Sequence, residues 1–429
     1  MNLVRALLGI ALLLGIAVAL SENRRRIRPR LVFSGLALQW LFAILILRTA
    51  PGRALFDWAR EGVTAVLGFT DVGASFLFGN LYRGDPGVLG HIPPGPGPIR
   101  VMDGASGEMI DLGFSVAIHV LPTIVFFSAL MSVLYHLGVM QLLVRGAGWV
   151  MARTMGTSGA ESLSAAANIF VGQTEAPLVV RPYVSDMTRS ELMAIMTGGF
   201  ATVAGGVLAA YIKFGIDAGH LLAASVMSAP AALVIAKIIL PETATSAKAG
   251  ARVDAGEKTT ANVIDAAASG AGDGLKLALN VGAMLMAFVS LVAVVDAGLG
   301  WIGGFIGAEG LTLSRILGWG FAPVAWAIGV DSADILPVGE LLGTKVAVNE
   351  FLAYLDLAAA AESLSDRSYT ITTYALCGFA NFSSIAIQIG GIGSIAPDRR
   401  QDLARLGVKA MLGGALASFM TAAIAGALI

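Results

Sequence analysis

The chain has 429 residues, of which 56% are hydrophobic and only 13% charged, and its formal net charge at pH 7 is −1. Soluble domains carry about 25% charged residues, so this composition and a mean hydropathy of +0.78 exclude an ordinary soluble domain and indicate a polytopic helical membrane protein. The near-neutral balance argues against a nucleic-acid partner. One cysteine, Cys377, excludes an intrachain disulfide, and four scattered histidines, His91, His119, His136 and His220, give no metal-ligand spacing.

Residues 3–20 form an apolar run followed by Arg24, Arg25, Arg26, Arg28 and Arg30. A cleaved signal peptide carries its charge before the apolar run, so this reads as a retained first span. The arginines belong in the cytoplasm, which puts the N-terminus outside. Residues 31–47 form the second span. Residues 54–68 read as an amphipathic helix lying along the interface, and the Gly/Pro-rich stretch 84–111 as an external loop. Residues 114–137 are the third span, running inward. The helix 141–155, with Arg145, Trp149 and Arg153, suits the cytoplasmic interface.

Residues 158–180 are apolar in bulk but interrupted by Asn168, Gln173, Thr174, Glu175 and Pro177, with Arg181 and Arg189 beyond. Basic residues on both flanks put both ends in the cytoplasm, which favours a re-entrant hairpin, with Arg181 anchoring it at the interface, over a single crossing. Spans follow at 192–214 and 218–240, then a polar cytoplasmic linker at 241–273 and a span at 275–295. Residues 301–319, with two tryptophans, read as an external interfacial helix. Residues 321–357 repeat the interrupted pattern with Asp331, Asp334, Glu340, Lys345, Asn349 and Glu350, and form a second hairpin entering from outside. Asp331, Asp334 and Glu340 read as solvated loop charges, with Lys345 available to pair with one of them. His119 and His136 read as packed or interfacial, and Cys377 as a small packing residue. Residues 370–395 run inward, Arg399, Arg400, Arg405 and Lys409 bracket a cytoplasmic turn, and 411–429 run out, leaving the C-terminus outside.

The expected fold is all-α, with about eight transmembrane helices, two re-entrant hairpins and interfacial helices. An odd number of crossings separates the hairpins, so the second half is inverted relative to the first. Secondary transporters use this plan, with the site at the midplane where broken helices meet.

The two halves rhyme. Gly172-Gln173-Thr174-Glu175-Ala176-Pro177 is followed by Gly199-Phe200-Ala201-Thr202; Val348-Asn349-Glu350-Phe351 is followed by Gly378-Phe379-Ala380-Asn381. A carboxylate at membrane depth costs at least a few kcal/mol. A buried polar network that only pins helices is the plain explanation of one such tip; its recurrence in both halves favours a site for a polar solute.

Three motifs carry a resemblance to a known family. They are Gly172 through Tyr183 with Gly199 through Gly205, Lys345 through Tyr354, and Tyr374 through Ser384. In order and content they resemble the concentrative nucleoside transporters, in the short bacterial form, from about Phe114 to the C-terminus. The resemblance implies a cation-coupled symporter, not an enzyme, sited in the inner membrane as a homotrimer and importing nucleosides such as uridine by alternating access. It implies a division into 1–113 and 114–157 (scaffold), 158–217 (first hairpin and broken helix, transport domain), 218–320 (scaffold), 321–395 (second hairpin and broken helix, transport domain) and 396–429 (last span). Gln173, Thr174 and Glu175 would meet the nucleobase, Val207 would pack on its face, and Glu350, Asn381 and Ser384 would meet the ribose beside Phe379. Sodium, the one coupling ion implied and no other cofactor, would be held by Asn168, the Val171 carbonyl, Thr202 and the Val203 carbonyl. The residue types suit these roles. An amide and a carboxylate pair with a base edge, an ionised Glu350 accepts two ribose hydroxyls, and oxygen donors suit a hard cation. A proton-coupled carrier in which Glu175 or Glu350 titrates is the alternative. A membrane-embedded hydrolase lacks a nucleophile–base pair; a channel would differ in not accumulating its solute.

Overall fold

The computed structural model describes residues 2–82, 100–102, 109–111, 115–244, 260–308 and 310–429. Most of the stretch read as an external loop, with His91, lies outside the described residues, as does 245–259 of the linker. The helices in chain order are α1 (Asn2–Ala19), α2 (Pro29–Arg48), α3 (Ala50–Phe78), α4 (Val116–His119), α5 (Leu121–His136), α6 (Val139–Met155), α7 (Gly159–Ala167), α8 (Ala176–Val179), α9 (Arg181–Val184), α10 (Arg189–Ala201), α11 (Gly205–Lys213) and α12 (Ala218–Ile239). After the linker come α13 (Val263–Ile306), α14 (Leu313–Ile328), α15 (Ile335–Ala347), α16 (Glu350–Ala359), α17 (Asp366–Leu376), α18 (Phe382–Ile395) and α19 (Arg400–Leu428). A short antiparallel ribbon pairs β1 (Arg100–Met102) with β2 (Met109–Asp111). Among the described residues, 7 helical stretches are long and apolar enough to cross a membrane, and the chain is a polytopic helical membrane protein. Three of these stretches lie between the two interrupted segments.

Several boundaries differ from the sequence reading, each for a local reason. The interfacial helix expected at 54–68 is the middle of the 29-residue α3, itself long and apolar enough to span. The helix expected at 301–319 does not form. The 44-residue α13 continues through Trp301 to Ile306 and ends at Gly307, and α14 starts afresh at Leu313, capped by the Thr312 hydroxyl. At ~1.5 Å per residue α13 is about 66 Å long, twice a hydrocarbon core. The second interrupted segment begins later than residue 321. Gly329, at φ 100°, ends α14 in a conformation that costs other residues a steric penalty, and the two legs are α15 and α16.

Each interrupted segment is made of two short helical legs that contact each other. In the first, the legs are α7 on one side and α8–α9 on the other; Pro177 and Pro182 start the two short pieces of the return leg. Capping boxes open both α7 and α10, with Ser158 and Glu161 at one and Thr188 and Glu191 at the other. Glu161 has a second oxygen to spare, and Lys237 near the end of α12 reaches it at 2.6 Å. The same ammonium donates to Ser190 Oγ at 2.9 Å, on α10. One buried lysine thus fastens the starts of α7 and α10 to α12. In the second hairpin, Ser365 Oγ just after α16 donates to Asp334 Oδ2 at 2.9 Å and Asp331 Oδ2 at 2.7 Å, just before α15. Asp334 is buried, and Asp331 faces Arg367 at 3.7 Å. The reading of these two acids as solvated loop charges is therefore corrected: they close the hairpin's feet. His119 stacks on Tyr82 at 5.3 Å, and His136 Nδ1 lies 2.7 Å from Thr260 Oγ1, as packed residues.

Breaking a buried ion pair by removing one partner costs about 3–5 kcal/mol, because the other charge stays buried alone. Lys237→Met is expected to lose stability in that range in detergent unfolding, and adding Glu161→Gln is expected to recover most of it.

Candidate functional site

The two helices that follow the hairpins are both broken, and the breaks touch. The α10 helix stops at Ala201, Thr202 is extended at φ −129° and ψ 168°, and α11 restarts at Gly205. The α17 helix stops at Leu376, and α18 restarts at Phe382 under the Asn381 side chain. Between them Gly378 has φ 142°, and a Cβ there would sit 2.7 Å from the Phe200 carbonyl oxygen. Only glycine allows that approach. The Phe379 amide donates to the Thr202 carbonyl at 3.3 Å. The Gly-Phe-Ala rhyme therefore marks the crossing of two interrupted helices, each lending backbone polar groups to the other.

The hairpin tips converge on this crossing through one chain of hydrogen bonds. Gln173 Nε2 donates to Ser384 Oγ at 3.2 Å, and the Ser384 amide donates to Asn381 Oδ1 at 2.9 Å. Asn381 Nδ2 donates to Glu350 Oε2 at 2.8 Å, and the Tyr211 hydroxyl donates to Glu350 Oε1 at 3.2 Å. Glu350 sits in the first turn of α16, capped by Asn349 through the Leu352 amide, so its carboxyl group lies at the positive end of a helix. Of the residues singled out in the sequence, Gln173, Glu350, Asn381 and Ser384 are thus brought together. Phe379 and Val207 are buried, in the break after α17 and in the first turn of α11.

Thr174 and Glu175 face elsewhere. Thr174 lies against Gly391 of α18. Both line a cavity of about 520 Å³ between the tip of the first hairpin, α5 and α13, with Tyr135, Gln141, Gly206 and Asp273 among its walls. Two buried polar atoms of these walls, Tyr135 Oη and Gln141 Oε1, have no hydrogen-bond partner among the described residues. Glu350 is not on this cavity, so the two acids of the rhyme have different surroundings.

The positions expected to hold a cation are also close in space. Asn168 caps the end of α7, is 1% exposed, and has no partner for either amide atom among the described residues. It lies against α10, where a Cβ on Gly198 would be 3.0 Å from its Nδ2. The Thr202 hydroxyl donates to the Gly198 carbonyl at 3.0 Å and keeps its lone pairs. The carbonyls of Val171 and Val203 accept no hydrogen bond among the described residues. Buried polar groups normally find a partner, and oxygen donors of this kind fit a hard monovalent cation.

Two residues of the network escaped the sequence reading. Gln388, fully buried on α18, donates through Nε2 to Gln173 Oε1 at 3.0 Å and to the Met196 carbonyl at 3.1 Å. Tyr211 holds Glu350 from α11. The lone amide in the run Ile385-Ala386-Ile387-Gln388-Ile389 was a readable signal, since an amide at that depth needs a partner; Tyr211 gave none.

With this geometry in hand, comparison with known proteins decides the family. A model described as the Na+ dependent nucleoside transporter C-terminus matches residues 220–426, its N-terminal counterpart matches 8–81, and one described as nucleoside recognition (Gate) matches 117–218. The chain belongs to the Na+-dependent nucleoside transporters. It is a transporter-family membrane protein and not an enzyme. An uncharacterized transporter of Haemophilus influenzae is 47% identical, over 100% of this chain and 98% of that protein. Sodium/nucleoside cotransporter 1 of Mus musculus is 41% identical over 98% of this chain, which spans 63% of that longer protein. A solved structure of CNTnw in an inward-facing substrate-bound state superposes with TM-score 0.89 at 45% identity, covering 100% of this chain and 98% of that one.

Removing Gln388 would leave Gln173 Oε1 and the Met196 carbonyl without their shared buried donor. An unsatisfied buried group costs about 1–3 kcal/mol. Gln388→Leu is expected to lower unfolding stability by about that much, measured in detergent without added ligand.

Proposed function

We propose that this chain is a sodium-coupled nucleoside symporter that works by alternating access. The observation that carries the reading is the placement of an unpartnered, buried Asn168 beside free carbonyls, one turn from the tip that bears Gln173–Glu175. A cation bound by Asn168 Oδ1, the Val171 carbonyl, Thr202 Oγ1 and the Val203 carbonyl would order this tip. The ordered tip would present Thr174 and Glu175 to a nucleobase in the adjoining cavity, where Tyr135 and Gln141 offer further polar atoms. Val207 would lie against the base. Glu350, aligned by Tyr211 and Asn381, would accept the ribose hydroxyls with Ser384 and Gln173 beside it and Phe379 nearby. A site built to bond hydroxyls discriminates against analogues lacking them, so deoxyribonucleosides would bind less well than uridine.

The hairpin feet, the odd number of long helices between them and the touching breaks support an inverted repeat with two re-entrant hairpins. The hairpins and broken helices form a transport domain; α5 and α13 flank it as scaffold. The exposed apolar side chains of α13, including Leu279, Met286 and Val294, suit lipid and neighbouring protomers of a homotrimer. The distribution of basic loops supports a reading in which both termini lie on the outer side of the inner membrane.

Coupling between ion and substrate is reciprocal. Purified protein in liposomes is expected to accumulate labelled uridine under an imposed sodium gradient and not under an imposed proton gradient. Accumulation driven by protons alone would replace sodium with a titrating acid, and accumulation under neither would end the symporter reading. Asn168→Ala is expected to weaken uridine binding strongly at low sodium and much less at high sodium. An equal loss at every sodium concentration would sink the coupling account.

A further inference from the structure

The two broken helices are served by different side chains at matching places. The Gly199 and Gly378 rhyme sets the Met196 carbonyl against the Ala375 carbonyl, each three residues before its glycine. Ala375 is in the last turn of α17, and Lys345 Nζ donates to its carbonyl at 2.7 Å. Lys345 is 0% exposed and has no carboxylate oxygen within 4.0 Å among the described residues. The expectation that it pairs with Asp331, Asp334 or Glu340 is therefore corrected: its partner is a helix end. In the first half the donor is an amide. Gln388 Nε2 donates to the Met196 carbonyl at 3.1 Å and gives its second hydrogen to Gln173 Oε1 at 3.0 Å. Gly199 makes room for this pair of amides, since a Cβ there would lie 2.8 Å from both Gln388 Nε2 and Gln173 Cβ.

The resulting chain has a direction that no amide flip can change. A carbonyl only accepts, so the atom of Gln388 that faces Met196 is its nitrogen. Gln388 Oε1 is left without a partner among the described residues, so nothing on that side competes for the orientation. The same nitrogen faces Gln173, so Gln173 meets it with its oxygen and turns its own nitrogen to Ser384, donating to Oγ at 3.2 Å. The Ser384 hydroxyl, having accepted, keeps its own hydrogen, and no acceptor takes it among the described residues. A backbone group fixes Asn381 in the same way. The Ser384 amide and the Ser383 hydroxyl both donate to Asn381 Oδ1, at 2.9 and 2.7 Å, which leaves the Asn381 nitrogen facing Glu350. Gln173, Ser384 and Asn381 thus offer hydrogens, and Glu350 offers the acceptor oxygens.

We propose that Gln388 is a positioning residue that fixes the hydrogen-bond polarity of the solute site, holding Gln173 oxygen-first so that the Ser384 hydroxyl is left to donate to the solute. It rests on the nucleoside reading given above and sharpens it. A solute group that meets both Ser384 and Glu350 must accept from one and donate to the other. A ribose hydroxyl does both; a hydrogen or an ether in its place does not. Without the Gln388 amide, Gln173 is free to turn its oxygen to Ser384 and take that hydrogen for itself. Gln388→Glu keeps the shape and reverses the chain. The introduced carboxylate accepts from Gln173, whose oxygen then faces Ser384.

The test uses full-length purified protein at saturating sodium, with folding checked by size exclusion and thermal melting. Affinities for uridine, 2′-deoxyuridine and 3′-deoxyuridine are measured by titration calorimetry. The readout is the ratio of the uridine affinity to that of the weaker deoxy analogue, which a general loss of affinity does not move. Ser384→Ala is expected to lower this ratio about 3- to 10-fold, the worth of one neutral hydrogen bond. Gln388→Glu is expected to lower it by a similar factor, and the double variant no further than either. Where Gln388→Glu does not fold, Gln388→Met keeps the length of the side chain without its polar atoms and is expected to act in the same direction. A folded Gln388 variant with the wild-type ratio overturns the proposal. So does a Ser384→Ala ratio equal to wild type, and so does a double variant whose factor is the product of the single ones, since independent effects predict that. Wild-type protein that binds no nucleoside would defeat the nucleoside reading alone. The orienting role is then decided without ligand, by unfolding cycles of Gln388→Met with Ser384→Ala. Coupling that disappears in a Gln173→Leu background upholds it, and additivity, or coupling that survives there, overturns it.

Discussion

The architecture turns on backbone polar groups stranded inside an apolar protein. Where α10 and α17 stop midway, each leaves carbonyls and amides that no water reaches. The two stops are placed against each other, so the Phe379 amide finds the Thr202 carbonyl and Gly378 lets the chains approach. What the breaks cannot satisfy between themselves, the hairpin tips and neighbouring helices supply. The ends of α7 and α15 arrive at the same crossing, and each brings one polar side chain to it. Gln173, Glu350, Asn381 and Ser384 belong to this arrangement, while Thr174 and Glu175 line the cavity beside the first tip.

The same constraint explains why the site is rigid in one place and open in another. From Gln388 to Tyr211 the hydrogen bonds run without a gap through Gln173, Ser384, Asn381 and Glu350. A continuous buried network of this kind fixes geometry; Gln388 Oε1, at its end, has no hydrogen-bond partner among the described residues. Around Asn168 the accounting does not close, and around Tyr135 and Gln141 it does not close either. Unsatisfied groups concentrate beside the first hairpin, which is where a cation and a base would supply the missing partners. Fasteners at the feet of both hairpins, Lys237 in one and Ser365 with Asp331 and Asp334 in the other, leave the tips as the parts free to respond.

The fold was legible in outline because its signals are local. Hydropathy found the long spans, and interruptions by Asn168, Gln173, Glu175 and Glu350 in apolar sequence marked both segments where short helical pieces replace a continuous span. Boundaries that depend on packing were not legible. A run with two tryptophans looked like a surface helix, yet α13 carries one tryptophan at its end and α14 carries the other, with a turn between them. Asp334 looked like loop charge because its partner, Ser365, lies across the hairpin. Lys345 looked like one half of an ion pair because charge alone cannot show that a helix end is the other half.

By itself the sequence determined that this protein lives in a membrane, that its two halves repeat, and which residue types each half offers to a solute. Those properties reside in composition and in spacing within a few turns. Only the tertiary structure decided which of these residues meet. Gln173 and Ser384 are separated by 211 positions, and Tyr211 and Glu350 by 139, and contacts at such range are set by how the broken helices cross. It also decided that the two acids of the rhyme part company, Glu175 to a cavity and Glu350 to a closed network. The physical reason is that a buried polar group is defined by its partner, and the partner here is almost never a neighbour along the chain.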